Sequence, residues 1–175
     1  WNFLVFKPWV NPEYGIQLSH SKDTFDDARE FIDIDPRAAG NRVRAIMDTQ
    51  TAIAAEKLNI RVVYARGDRN DHRTCIEFLE RIISMANKAL KIKSNDKYVP
   101  YDEPIKIWKE AKKLLISWGN RSSHTGTLTK VEAEELIQVC ENAMLQFRCN
   151  ECEDPIWIAD QNSRNRLQCS CGKFQ

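Results

Sequence analysis

A chain of 175 residues, 42% of them hydrophobic, is long enough for one domain with a real core plus a small appendage. A formal net charge of +1 excludes a molecule-wide field for gathering polyanions, so any basic surface must be local. No apolar run is long enough to span a membrane and no signal-peptide pattern opens the chain, which points to a cytoplasmic protein with no membrane partner.

The chain opens on Trp1 rather than Met and reads as the C-terminal part of a larger protein. Residues 1–34 are first aromatic ("WNFLVFKPWVNPEYG") and then polar and acidic, without a clean period. They read as short strands or loops, the end of a preceding domain or a linker.

From residue 35 helical patterns begin. Asp35 can cap and Pro36 suits a first turn, where its missing N–H has no partner to lose. Val43, Met47, Ile53 and Leu58 follow as a loose stripe. "IRVVYARGDRND" is a short β-branched run or an extended linker, after which Asp71 can cap. The next helix carries Ile76, Leu79, Ile82, Ile83, Ala86 and Leu90 on one face. "KSNDKYVPYD" reads as a loop broken at Pro100, and Asp102 and Pro104 open a third helix with Trp108, Ala111, Leu114, Leu115 and Trp118 inward and Gly119 at its end. The fourth starts at a Thr129/Glu132 capping box and carries Ala133, Leu136, Ile137, Cys140, Ala143, Met144 and Phe147. The expected fold class is mainly α: a four-helix antiparallel bundle over residues 35–148, then a small four-cysteine zinc ribbon over 149–175.

The ribbon rests on cysteine spacing. Of six cysteines, four fall near the C-terminus as "CNEC" and "CSC". Cys149 and Cys152, then Cys169 and Cys171, supply two short thiolate pairs, the ligand set of a structural Zn2+ site. The apolar content between the pairs is too small for a core, so metal binding would supply much of the folding free energy, on the order of 10–16 kcal/mol. Cys75 and Cys140 lie on apolar stripes and read as core.

Between the third and fourth helices runs "GNRSSHTG". Asn120, Arg121 and His124 crowd an amide, a guanidinium and an imidazole into one turn. It is either a solvated polar connection or a site. Two acid–arginine pairs sit elsewhere at i, i+4, on one helical face each: Arg44 with Asp48, and Arg73 with Glu77. Trp118 reads as core, or as a ring on which a base could stack. Lys106, Lys109, Lys112 and Lys113, with Lys88, Lys91 and Lys93, form a solvated basic face or contacts for phosphate. His20 and His72 have no clear partners, and "RGD" at 66–68 is a chance adhesion-like string.

A helical bundle with "NRSSH" leading into its last helix resembles the HEPN superfamily, over residues 35–148. The usual spacing of that family's Arg and His is longer than that of Arg121 and His124. "NRVRAIMD", with Arg44 and Asp48, is similar to the anticodon-nuclease branch fused to ABC-type ATPases, which pairs such a motif with a distant His. The resemblance implies a metal-independent endoribonuclease of a defence or toxin system, acting on RNA, with tRNA the candidate substrate. It implies a homodimer and an ATPase domain or subunit. His124 would be acid and base, Arg44 or Arg121 would steady the phosphate, and Asp48 would orient, with Asn120, Arg73 and Glu77 as further candidates. The chemistry is coherent, since an imidazole titrates near neutrality and Arg binds phosphate bidentately. The alternative is a non-catalytic HEPN module for dimerisation or partner binding, with the ribbon as a docking knob. A DNA-binding ribbon is disfavoured by Glu151, Glu153, Asp154 and Asp160 set against Arg164, Arg166 and Lys173.

Overall fold

The computed structural model describes residues 4–6, 18–20, 24–63, 73–94, 97–119, 126–158 and 167–173. Asn120, Arg121, His124, His72 and Asp71 lie outside these residues, as do Asp160, Arg164, Arg166 and the RGD string.

The helices are α1 (Phe25–Arg29), α2 (Pro36–Lys57), α3 (Cys75–Ala89), α4 (Asp102–Leu114) and α5 (Lys130–Leu145). Three two-stranded antiparallel ladders join them: β1 (Leu4–Phe6) with β2 (Leu18–His20), β3 (Lys91–Ser94) with β4 (Lys97–Pro100), and β5 (Trp157–Ile158) with β6 (Leu167–Gln168). The molecule is therefore mainly α.

Several helix ends follow the sequence signals. The Asp35 carboxylate accepts from the N–H groups of Arg37 and Ala38, with Pro36 in the first turn. Thr129 and Glu132 form the expected reciprocal capping box. A second such box, Thr24 with Asp27, starts α1, a helix that the acidic composition of this stretch concealed. Tyr101 rather than Asp102 holds the cap position of α4, so Asp102 and Glu103 instead place negative charge in its first turn.

The core is one cluster. It takes Ala39, Val43, Ile46 and Met47 from α2; Leu79 and Ile82 from α3; Trp108 and Ala111 from α4; and Leu136, Ile137 and Cys140 from α5. Ile53, expected on the α2 stripe, is half exposed. Ala54 and Ala55 take the inward positions beside it, which lets neighbouring backbones approach closely. The buried Thr51 hydroxyl donates to the Met47 carbonyl at 2.6 Å and so leaves no orphan polar group.

Helix directions depart from a simple antiparallel bundle. The β3–β4 hairpin turns α4 back along α3. Tyr101, just ahead of α4, donates to the Gln146 carbonyl just past α5, and Trp108 donates to the Ala143 carbonyl in the last turn of α5; α4 and α5 are thus antiparallel. By contrast α2 and α5 run the same way. Asp33 pairs with Lys130 where both begin, and Asn59, just past α2, donates to the carbonyl of Ile158 in β5, the strand reached after α5 and the first cysteine loop.

Beyond Leu114 the helix widens into a π turn over Leu115–Gly119, which packs against α2. The Ser117 hydroxyl donates to the Lys113 carbonyl at 3.0 Å across the widened turn. Gly119, expected to end the helix, ends this π turn instead.

Candidate functional site

The four C-terminal cysteines converge. The β5–β6 ladder pairs Trp157 with Gln168 and Ile158 with Leu167, which carries the two cysteine-bearing loops to one end of the hairpin. The first loop follows α5 and is closed by Cys149 N–H donating to the Asp154 carbonyl and Glu153 N–H donating to the Cys149 carbonyl, both at 2.9 Å. Glu153 takes a left-handed φ of 59° to complete it. The second loop turns at Gly172, φ 70°, whose N–H donates to the Cys169 carbonyl. Only this φ demands glycine, because a Cβ there would meet nothing within 4 Å.

All four sulfurs lie within 4.8 Å of one another and none is in a disulfide. Cys149 Sγ lies 3.8 Å from Cys171 Sγ, and Cys169 Sγ lies 3.3 Å from Cys171 Sγ. The four can hold a metal ion. The loop backbone is arranged to favour thiolate: the Glu151 N–H donates to Cys149 Sγ at 3.4 Å. The Asp154 N–H holds the Cys152 thiol below its ordinary value. At Cys171 the Lys173 N–H pulls the same way, but hydrogen bonds shared with the Cys169, Cys152 and Cys149 sulfurs outweigh it and push that thiol up to about 12. Four sulfurs this close cannot all ionise without a cation between them.

The cysteine-bearing segment is fused to the helices. Phe147, Cys149, Ile156, Ile158, Leu167 and Cys169 belong to the same buried cluster as the helices. Ile156 N–H donates to the Phe147 carbonyl, and Asn59, itself at φ 51°, reaches the Ile158 carbonyl at 3.4 Å. Asn59 carried no signal in the sequence beyond its tolerance of left-handed backbone after a helix.

The two acid–arginine pairs meet at one place. Asp48 Oδ1, on α2, accepts the Cys75 N–H at 2.6 Å and so caps the start of α3, where the local cap residue Thr74 makes no side-chain bond. Burial pushes the Cys75 thiol up to about 12, the charge of Asp48 and its hydrogen bond add to this, and Arg44 opposes it. Arg44, Asp48 and Cys75 are therefore neighbours. Arg73 lies beside them in sequence but is sealed: its side chain is 8% exposed, pairs with Glu77 and donates to the Val63 carbonyl. Arg44 is half-buried.

The third candidate group, Asn120, Arg121 and His124, lies outside the described residues. Its two flanks are described: the π turn seated on α2 before it, and Gly126 and the buried Leu128 leading into the Thr129 cap after it. Trp118 packs half-buried against the core, as expected of a structural ring.

No protein-family model matches this chain, and neither a curated protein nor a solved structure does. No described helix is long and apolar enough to cross a membrane.

Proposed function

We propose that this chain is a HEPN-like, metal-independent endoribonuclease module, with tRNA as a candidate substrate, carrying a structural zinc ribbon. One observation carries the reading: the π turn that delivers the His124 stretch packs against α2, the helix that bears Arg44 and Asp48. π turns are rare and are frequently found at functional sites.

In this scheme the 2′-hydroxyl of the RNA attacks the adjacent phosphate. His124 removes the hydroxyl proton or protonates the leaving 5′-oxygen, depending on which side of the bond it faces. Arg44, with Arg121, holds the non-bridging oxygens as negative charge builds on the phosphorane. Arg73 is not given that task, because Glu77 and Val63 already occupy it. Two copies of the chain facing one another would pair their histidines and arginines, and an ATPase partner would govern access.

For the ribbon, zinc fits the donor set. A tetrahedron with Zn–S near 2.3 Å has sulfur–sulfur edges of about 3.8 Å. The Cys149–Cys171 separation of 3.8 Å equals that edge, Cys169–Cys171 at 3.3 Å is somewhat shorter, and no pair exceeds 4.8 Å. Four thiolates leave no open position, so the metal would stabilise the fold rather than act on substrate.

The test is cleavage of total tRNA without added divalent cation by wild type, Arg44→Ala and Arg73→Ala. The proposal predicts cleavage by wild type and loss in Arg44→Ala. Loss in Arg73→Ala should go with loss of helicity, as its role is structural.

A second reading rests on Asp48. Its carboxylate already caps α3, which explains the residue without chemistry. The bundle would then be a non-catalytic module for dimerisation or partner binding. Folded wild type that leaves tRNA intact would favour it.

A further inference from the structure

Between α3 and the α4–π segment lies a groove of about 630 Å³, separate from the cysteine site. One wall is Glu80, Ile83, Ser84 and Asn87, at helical spacing on α3. The other is Lys109, Lys112, Lys113, Ile116 and Ser117. Its charged lining is three lysines against one glutamate. Lys112 Nζ meets Glu80 at 2.7 Å and ties the two walls together. Among the described residues no ion pair engages Lys109 or Lys113, and both are exposed. Ile116 lies 44% exposed beside them. From Lys109 to Ser117 this wall rises ~12 Å along the helix and ends within one turn of the start of "NRSSH".

We infer that this groove guides one strand of RNA toward that stretch, a role that rests on the ribonuclease reading for its occupant. Lys109 and Lys113, one helical turn apart, meet successive phosphates. Ile83 and Ile116 supply apolar surface to a sugar or base. The amide of Asn87 and the hydroxyls of Ser84 and Ser117 line the rest without favouring a sequence. The lysines act as positioning residues and take no part in the chemistry.

The test separates binding from cleavage. The probe is a labelled 2′-O-methyl oligouridylate of about twelve nucleotides, a length within the usual site sizes for single strands, which the proposed reaction cannot cut. Binding to wild type is followed by anisotropy across a salt series. Lys109→Gln/Lys113→Gln should lower the slope of log affinity against log salt by about 1.4, two single-strand phosphate contacts' worth. Lys109→Glu/Lys113→Glu should weaken binding at least about fivefold. Lys106→Glu, outside the groove, should leave it unchanged. All three positions are solvent-exposed, and the thermal melting of each variant checks the fold. Wild-type affinity and slope in the double-Gln variant would overturn the proposal. So would an oligoglutamate of equal charge binding as tightly as the RNA, which would assign the groove to an acidic peptide. If the lysines prove necessary for binding while wild type leaves tRNA uncut, the groove stands and the nuclease reading falls.

Discussion

The Asp48 carboxylate, midway along α2, accepts the backbone N–H of Cys75 at 2.6 Å and thereby starts a helix in a different part of the chain. The first N–H groups of any helix lack intrahelical partners, and a carboxylate there gains from both the hydrogen bond and the helix dipole. Asp48→Ala should cost about 1–2 kcal/mol, and Asp48→Asn distinctly less, since the amide oxygen still accepts. Urea denaturation of the two variants checks this. Equal losses would mean that charge, rather than the hydrogen bond, supplies the effect.

The six cysteines should divide into two classes. Cys75 and Cys140 are essentially unexposed and their thiols are pushed up by burial. With metal bound, a thiol reagent at about pH 8 should find almost nothing. A chelator should release the four ribbon thiols, and denaturant the remaining two. The same treatment should lower the melting temperature, because the ribbon shares its core with the bundle.

Cys75 also sets a pH limit. Its thiol is neutral in the fold up to about 12, against an ordinary 9.0. The unfolded chain therefore sheds this proton first as pH rises. The stabilisation is whole below pH 9.0 and is lost progressively between there and about 12. Cys75→Ala, which has no proton to lose, should flatten the alkaline fall in stability over that window while lowering stability at neutral pH through the cavity it leaves.

Gly172→Ala isolates backbone strain. There is open space for the methyl group, so only the left-handed φ of 70° is penalised, at about 1 kcal/mol. The expected effect is a loss of roughly fivefold in metal affinity in competition with a chromophoric chelator. Glu153→Gly, at the equivalent turn of the first loop, should strengthen it for the same reason.

Trp108 joins α4 to the end of α5. It is fully buried, its indole N–H donates to the Ala143 carbonyl at 3.0 Å, and its ring stacks on Phe147 with centroids 4.7 Å apart. Ala143 belongs to the last turn of α5, where carbonyls run out of intrahelical donors. Trp108→Phe should keep the stacking but strand that carbonyl, at a cost of about 1–3 kcal/mol. Calorimetric melting reads the loss.

The elements legible in the sequence are those with local causes. Asp35–Pro36 and Thr129–Glu132 mark two helix starts because a cap acts within three residues. The cysteine pairs were legible for the same reason, since each loop brings its own two sulfurs together. What escaped depends on distant partners. Thr74 makes no cap bond because Asp48 makes it from another helix, and no local pattern encodes that. The parallel run of α2 and α5 shows in contacts between residues far apart in the chain, Asp33 with Lys130 and Asn59 with Ile158, which no local period encodes. Ile53 looked inward on spacing alone, but Ala54 and Ala55 beside it allow the closer helix approach and win the core. In the candidate site, both acid–arginine pairs were visible as i, i+4 spacings. That one of them is sealed by the Val63 carbonyl was not.

The most direct measurement is end-group analysis of total tRNA after incubation with the full chain, without added divalent cation, beside His124→Ala. Chelator is left out so that the ribbon stays folded. The expected result is cleavage by wild type leaving 2′,3′-cyclic phosphate ends, and none by His124→Ala at the same melting temperature. Intact tRNA with folded, dimeric wild type, or cleavage that His124→Ala leaves unchanged, would contradict the ribonuclease reading.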